Sequence, residues 1–313
     1  RYDVSVDAST LRVVGEELSS NRHPGRYVYK VDPRPNRAPD SSDTDVSFHK
    51  NVGQGRNPKS AFSANESILS QFRSRKASSK DNERVADALR TELTSLTPLV
   101  LEPEVLRGYS FPSQHPIGEH GEHFASAISQ MRHGDDPEQW EIVSSWLRGA
   151  DDSGIVDLDV VESPTGEVVV SVRESGQPRD LLAPSISDGT LRFVAFTMLT
   201  VGADKPRILL VEELENGMNP ARMSELVAMI AAATSPEART PTQVIATTHN
   251  PAIVDYAEGA GASIVLVGMD ETTGLSRALP KEEIRNVAQA EQSAGSLGAL
   301  LEGGWLQLRA SAA

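Results

Sequence analysis

The chain has 313 residues, of which 38% are hydrophobic and 24% charged, with no cysteine and a formal net charge of -14. This ordinary globular composition is long enough for one large or two modest domains with real cores, and it excludes disulfides, thiolate metal sites and cysteine nucleophiles. The acidic balance excludes a uniformly phosphate-binding surface and leaves room only for a local basic patch. No apolar run approaches the roughly 20 residues that span a bilayer. The start, RYDVSVDAST, has neither the basic nor the apolar region of a secretion signal, so a cytoplasmic protein with no membrane partner is expected.

Alternation in DVSVDA, TLRVVGEEL and RYVYKV predicts strands within residues 1–31, with Asn21, Pro24 and Gly25 marking the turn before the last. From Asp32 to Lys59, Pro, Asn, Asp, Ser and Gly dominate, and mostly loop is expected. Helical spacing returns in pieces from Ser67 to Leu93, interrupted at Ala77, Ser78 and Ser79. Within it, Arg73, Arg75, Lys76, Lys80 and Arg84 form the most basic part of the chain. A solvated helix or a mobile loop explains such a run, and so does contact with a DNA backbone.

GEHFASAISQM and PEQWEIVSSWL read as two amphipathic helices flanking HGDDP, and IVDLDVVE with GEVVVSVRE reads as a hairpin. Just before the first helix, HPIGEHGEH carries His115, His120 and His123 without an established ligand spacing, which reads as a surface loop. Beyond the hairpin the pattern changes. Helices LRFVAFTMLTVGA, ARMSELVAMIAAATS and PAIVDYAEG alternate with strands RILLVEE, QVIATT and ASIVLVG, the sign of an α/β unit with a mainly parallel sheet.

Ligands of such sheets gather at the carboxyl ends of the strands, where VEE (211–213) and ATTHN (246–250) place polar side chains. Adjacent carboxylates at the end of an apolar strand pose a problem, since a buried charge is costly unless paired. A bound metal is one solution: Glu212 can hold Mg²⁺ directly or through water, while Glu213 polarises a water that attacks a phosphate. Capping of the next segment, or an arginine partner, is the other. His249 can hydrogen-bond a terminal phosphate, although a strand-end histidine also serves structure alone. In SISDGTLRF, Ser187, Asp188 and Gly189 precede an apolar helix whose start offers free N–H groups and a positive dipole end. A simple N-cap suits the same letters. No G-x-S-x-G element points to a serine hydrolase.

In order and spacing, SISDGT, ILLVEE, ENGMNP and TTHNP resemble the C-terminal lobe of ABC-type ATPase heads, in the RecF, SMC and overcoming-lysogenization-defect branch labelled AAA-family ATPases. The resemblance is specific over residues 181–268. It implies a signature motif at Ser187, Asp188 and Gly189, a Walker B segment with metal-holding Glu212 and catalytic Glu213, a D-loop in ENGMNP and a switch histidine at His249. It further implies ATP and Mg²⁺ as cofactors and a homodimer that closes on two nucleotides through composite sites. Its implied setting is DNA repair, DNA processing or anti-phage defence, beside a partner nuclease that this chain does not itself encode after residue 270.

On that resemblance, residues 1–60 are the remainder of a β-rich ATPase lobe, 61–150 a helical insert, and 151–313 the lobe with the signature, Walker B and switch histidine. The rival expectation is a non-hydrolysing ATPase-fold module that docks a partner nuclease or binds DNA through Arg73, Arg75, Lys76, Lys80 and Arg84. Asp188 stands where transporter-type heads have glycine, and Glu212 where aspartate is usual. There is no P-loop: GQGRNPKS (53–60) puts Pro58, with no N–H and a fixed φ, at the position of the last glycine. Because the chain also begins with Arg1, a P-loop segment is expected upstream or encoded separately.

Overall fold

A computed structural model describes residues 2–7, 12–19, 27–31, 43–48, 59–63, 67–71, 80–113, 115–149, 154–203, 207–269, 276–281 and 287–303. The chain divides into two units, Arg1–Ser95 and Leu96–Ala313. In the first, β1 (Tyr2–Asp7), β2 (Arg12–Ser19), β3 (Tyr27–Val31), β4 (Asp43–Phe48) and β5 (Lys59–Ser63) form an antiparallel sheet in chain order. Strand β4 lies inside the stretch expected to be mostly loop. Its sequence, DTDVSF, alternates Thr44, Val46 and Phe48 with polar residues over only six positions inside a stretch rich in turn formers, and it is held by ladders to β3 and β5 on both sides.

Helices α1 (Ile68–Gln71) and α2 (Lys80–Thr94) complete this unit. Val85, Ala86 and Leu89 of α2 pack with Leu18, Tyr29, Phe62 and Ile68 into one core. The spacing of those three places them on one side of the helix, as amphipathicity requires. Of the five basic residues, Arg73, Arg75 and Lys76 lie outside the described residues, as do residues 53–58 of GQGRNPKS; Lys80 opens α2 and Arg84 is exposed on it.

The second unit runs β6 (Leu96–Leu99), α3 (Pro103–Leu106), α4 (Phe124–His133), α5 (Pro137–Arg148), then the antiparallel meander β7 (Ile155–Glu162), β8 (Val168–Glu174) and β9 (Leu181–Leu182). It continues through α6 (Asp188–Leu199), β10 (Ile208–Val211), α7 (Met223–Thr234), β11 (Gln243–Ala246), α8 (Pro251–Gly259), β12 (Val265–Met269), β13 (Ser276–Pro280), α9 (Val287–Ala294) and α10 (Leu297–Glu302). The fold is α/β, and its core sheet is parallel: β10 lies between β6 and β11 and pairs parallel with both. Strand β12 pairs antiparallel with β13. No helix among the described residues is long and apolar enough to cross a membrane.

Strand β6 had no counterpart in the sequence reading, because Pro98 sits within it. At the edge of the three-stranded sheet its missing N–H removes no needed ladder bond. Helix α6 is the centre of the core: apart from Arg192, every residue from Leu191 to Leu199 is buried. A helix apolar on all sides must be enclosed, and α6 shares one cluster with Ile128 of α4, Val143 of α5, Val172 of β8, Leu209 of β10 and Leu226 of α7.

One buried charge organises the first unit. Glu16 is only 2% exposed, and its carboxylate accepts from the hydroxyls of Tyr29 at 2.6 Å, Tyr2 at 2.9 Å and Ser67 at 3.2 Å. It also accepts the backbone N–H groups of Ile68 at 2.7 Å and Leu69 at 3.0 Å, joining β2 to the start of α1. Burial first, with the adjacent Glu16, pushes the Tyr2 phenol up to about 12 and holds Tyr29 well above the ordinary range, so both remain donors. Glu16→Ala leaves these buried donors without an acceptor. It should destabilise the protein by about 3 kcal/mol or more, read as a lower urea midpoint, with Glu16→Gln losing less; an unchanged midpoint would show that water replaces the carboxylate.

Candidate functional site

The site starts from strand register. Val211 of β10 stands opposite Ala246 of β11 in a parallel pair, so both strands release their next residues at the same end of the sheet. Glu212 and Glu213 follow the first strand, and Thr247, Thr248 and His249 the second. Both glutamates are exposed rather than buried. Desolvation therefore does not demand a counter-ion for them, and the burial argument for a metal does not hold; what the fold fixes is their place.

Thr247 ties the two strand ends together. Its hydroxyl accepts the Glu213 N–H at 3.0 Å, its carbonyl accepts the Leu214 N–H at 2.9 Å, and its own N–H donates to the Val211 carbonyl at 2.9 Å. Glu213 has φ of 48°, in the left-handed region that non-glycine residues rarely enter. Such a conformation costs about 1–3 kcal/mol and persists only where surrounding contacts over-determine it.

Glu215 makes the second tie, one that sequence reasoning missed. Its carboxylate accepts the Thr248 hydroxyl at 2.7 Å and the His249 N–H at 2.8 Å. Asn250 then caps α8 by accepting the Ala252 N–H at 2.9 Å. Burial acts to raise the Glu215 pKa, but hydrogen bonds from Thr248 and the backbone, with the nearby His249, outweigh it and hold the carboxyl below the usual range. The readable signal was the Glu-Asn-Gly turn itself, an acid between a strand end and Asn216.

The signature residues lie at the start of α6. Ser187 caps it, accepting the Thr190 N–H at 3.1 Å, and donates its own proton to the Thr190 hydroxyl at 2.8 Å. Asp188 is neutralised by Arg107, which also donates to the Ile186 carbonyl at 2.9 Å. Gly189 is needed for space, because a Cβ there would meet the Gly217 carbonyl oxygen at 2.3 Å. Gly217 itself has φ of 71°, and the neighbouring Asn216 carbonyl accepts from Arg192 of α6 at 2.8 Å. The helix start and the ENGMNP turn are thus in direct backbone contact.

These elements line one open cleft of about 1470 Å³, with Ser187, Gly189, Gly217, Asn219 and Arg222 on its walls. Glu212, Glu213 and His249 stand outside it, linked to it through the 213–217 turn. The structure therefore brings together Glu213 with the His249 loop, and Ser187, Asp188 and Gly189 with the ENGMNP turn, as two neighbouring groups rather than one. In the His115–His123 loop, the two terminal rings lie 5.1 Å apart and exposed, and His120 faces Glu102 at 3.1 Å. Among the described residues, no cluster of three or more acidic or histidine side chains is arranged to hold a metal.

The site is thus built from the polar carboxyl ends of neighbouring parallel strands and a glycine-bearing helix start packed on the turn that follows the first of them. The chain matches, over residues 17–255, the family described as "AAA domain, putative AbiEii toxin, Type IV TA system", and it belongs to that family of nucleotide-binding folds. No curated protein matches it. Among solved structures it is similar to the SMC head domain from Thermotoga maritima, at 12% identity and a TM-score of 0.35, covering 85% of this chain and 72% of that one. It is also similar to the SmcHead bound to the C-winged helix domain of ScpA, at 11% identity and a TM-score of 0.39, covering 79% of this chain and 76% of that one. At these scores neither structure carries a conclusion about this chain.

The Glu215 tie has a pH signature. A carboxyl whose pKa is lowered on folding contributes stability that is present above its unfolded value near 4.5 and is lost as pH falls through the lower folded value. Glu215→Gln should therefore narrow the stability difference between neutral and acidic solution below that range. It should also destabilise the protein by about 1 kcal/mol at neutral pH, given partial exposure. Thermal melts of both proteins from pH 3 to 7 check this; parallel pH curves would show that Glu215 carries no linked charge.

Proposed function

We propose that the chain is an ATP-binding and hydrolysing head that dimerises on nucleotide. The observation that carries this reading is the strand-end pair: Glu213 and the His249 loop leave neighbouring parallel strands side by side, fastened by Thr247 and Glu215. When bound, ATP supplies the phosphoanhydride that is cleaved and Mg²⁺ the charge that screens its oxygens. Glu213 serves as general base, taking the proton of the attacking water on its carboxylate, and its left-handed backbone sets the direction in which the side chain leaves the chain.

Glu212 is the carboxylate that would hold Mg²⁺. A single exposed carboxylate fits that ion, which takes one or two protein carboxylates and fills its remaining positions with water and phosphate oxygens. His249 would donate a hydrogen bond to the terminal phosphate. Ser187, Asp188 and Gly189 would serve a nucleotide held by a second copy: the helix start presents N–H groups and a positive dipole end, Arg107 cancels the Asp188 charge, and Gly189 places no side chain in the way.

The phosphate cradle is not among these 313 residues and, on this reading, comes from outside them. Strand β11 is an edge strand among the described residues, with Ile245 52% exposed, and a further strand would pair there. The setting proposed is cytoplasmic, in DNA repair, DNA processing or anti-phage defence with a partner nuclease; the toxin and toxin–antitoxin wording of the matched family favours defence. A second reading, a non-hydrolysing docking or DNA-binding module, is favoured by Pro58 in GQGRNPKS.

In the full-length protein, Glu213→Gln should retain nucleotide binding, lower turnover by about a hundredfold or more, and prolong the nucleotide-bound dimer, whereas Glu212→Ala should weaken the dependence on Mg²⁺. Steady-state ATPase assays check this, and unchanged turnover in Glu213→Gln would remove the catalytic assignment. Ser187→Arg places bulk and charge at the start of α6. It should abolish ATP-dependent dimerisation in sedimentation experiments while leaving nucleotide affinity within about threefold; normal dimers would count against a composite site.

A further inference from the structure

We propose that Arg222 is a further phosphate-contacting residue, acting on the nucleotide that a second copy brings to the cleft; this rests on the composite-site reading above. Arg222 lines the same cleft as Ser187, Gly189 and Asn219. Its guanidinium lies 4.9 Å from the centre of the Phe193 ring. Phe193 is fully buried in α6, so the stack is a fixed platform that aims the guanidinium rather than a passing surface contact.

The Nη1 atom of Arg222 is buried and has no hydrogen-bond partner. A buried donor of a charged group without an acceptor is unfavourable, and an oxygen entering from the cleft would relieve it. The other two arginines near the signature are committed: Arg107 to Asp188 and the Ile186 carbonyl, Arg192 to the carbonyls of Leu101 and Asn216. Two acids on the walls of the cleft are committed too, Asp188 to Arg107 and Glu174 to the Thr190 hydroxyl at 3.2 Å.

Arg222 also occupies the N-cap position of α7 without a side-chain cap bond. A cation at the positive end of a helix dipole is unfavourable; Glu225 in the first turn of α7 offsets part of this, and an anion in the cleft would offset more. The planar fork of guanidinium N–H groups matches phosphate oxygens. A terminal phosphate satisfies the free Nη1, the helix end and the cleft charge at once. An alcohol can accept from Nη1 but leaves the positive charge uncompensated, and an ammonium adds to it.

The test uses the full-length protein with ATP and Mg²⁺, comparing wild type with Arg222→Gln, which keeps most of the stem over Phe193, and Arg222→Lys, which keeps the charge but not the fork. Nucleotide affinity is read by titration calorimetry, dimerisation by sedimentation with ATP and with ADP, and folding by thermal melts. Arg222→Gln should leave ATP affinity of the single copy within about threefold and weaken the ATP-dependent dimer by about tenfold or more, without changing any dimerisation seen with ADP. Arg222→Lys should fall between the two. Equal ATP-dependent dimerisation in wild type and Arg222→Gln overturns the assignment while leaving the composite site standing. A wild type that stays monomeric with ATP overturns the composite site and this assignment with it. Loss of ATP affinity in a folded Arg222→Gln also overturns it, because the residue would then serve the nucleotide of its own copy.

Discussion

The parallel pairing of β10 with β11 is the constraint on which the site depends. A shift of one residue in that register would move Glu213 away from Thr247 and break both of the bonds that hold its unusual backbone. The left-handed conformation of Glu213 then turns the chain sharply, so that Glu215 can reach back to His249 and Gly217 can approach α6. Three segments far apart in sequence are positioned by one ladder and the turn that follows it.

Much of this was legible because capping chemistry is local. Ser187 before an apolar helix announced the start of α6, and the structure shows its side chain accepting the N–H that such a cap satisfies. The alternation of helix and strand after residue 185 was equally plain, since an enclosed helix and short apolar strands leave continuous runs in the sequence. Strands β4 and β6 were not legible. The first is a short alternation surrounded by turn-forming residues and the second contains Pro98, so both owe their state to neighbours that only the fold supplies.

Exposure was misjudged for a related reason. Hydrophobic neighbours at Leu209 and Leu210 suggested that Glu212 and Glu213 end a buried strand, yet a strand of four residues buries only its middle, and the chain is already in solvent where the carboxylates begin. The roles of Glu215, Thr247 and Arg222 escaped the sequence because each is defined by a partner more than 25 residues away or in another element. Spacing within one segment carries no information about such contacts.

An acidic protein that handles a polyanion has to confine its positive potential to a small region. Here the net charge of -14 belongs to the whole chain, while the cleft joins two helix starts, α6 and α7, with Arg107 neutralising the acid on the first of them and Arg222 standing at the second. At physiological salt, fields from exposed surface acids fade over about 8 Å, whereas partly buried dipoles and a held guanidinium are screened much less. The proposed phosphate contact at this cleft therefore does not conflict with the negative charge of the molecule as a whole. The same short range explains why the contact between Gly189 and Gly217 matters electrostatically as well as sterically: it brings the end of α6 close enough to the turn leading into α7 for the two helix starts to act on one ligand.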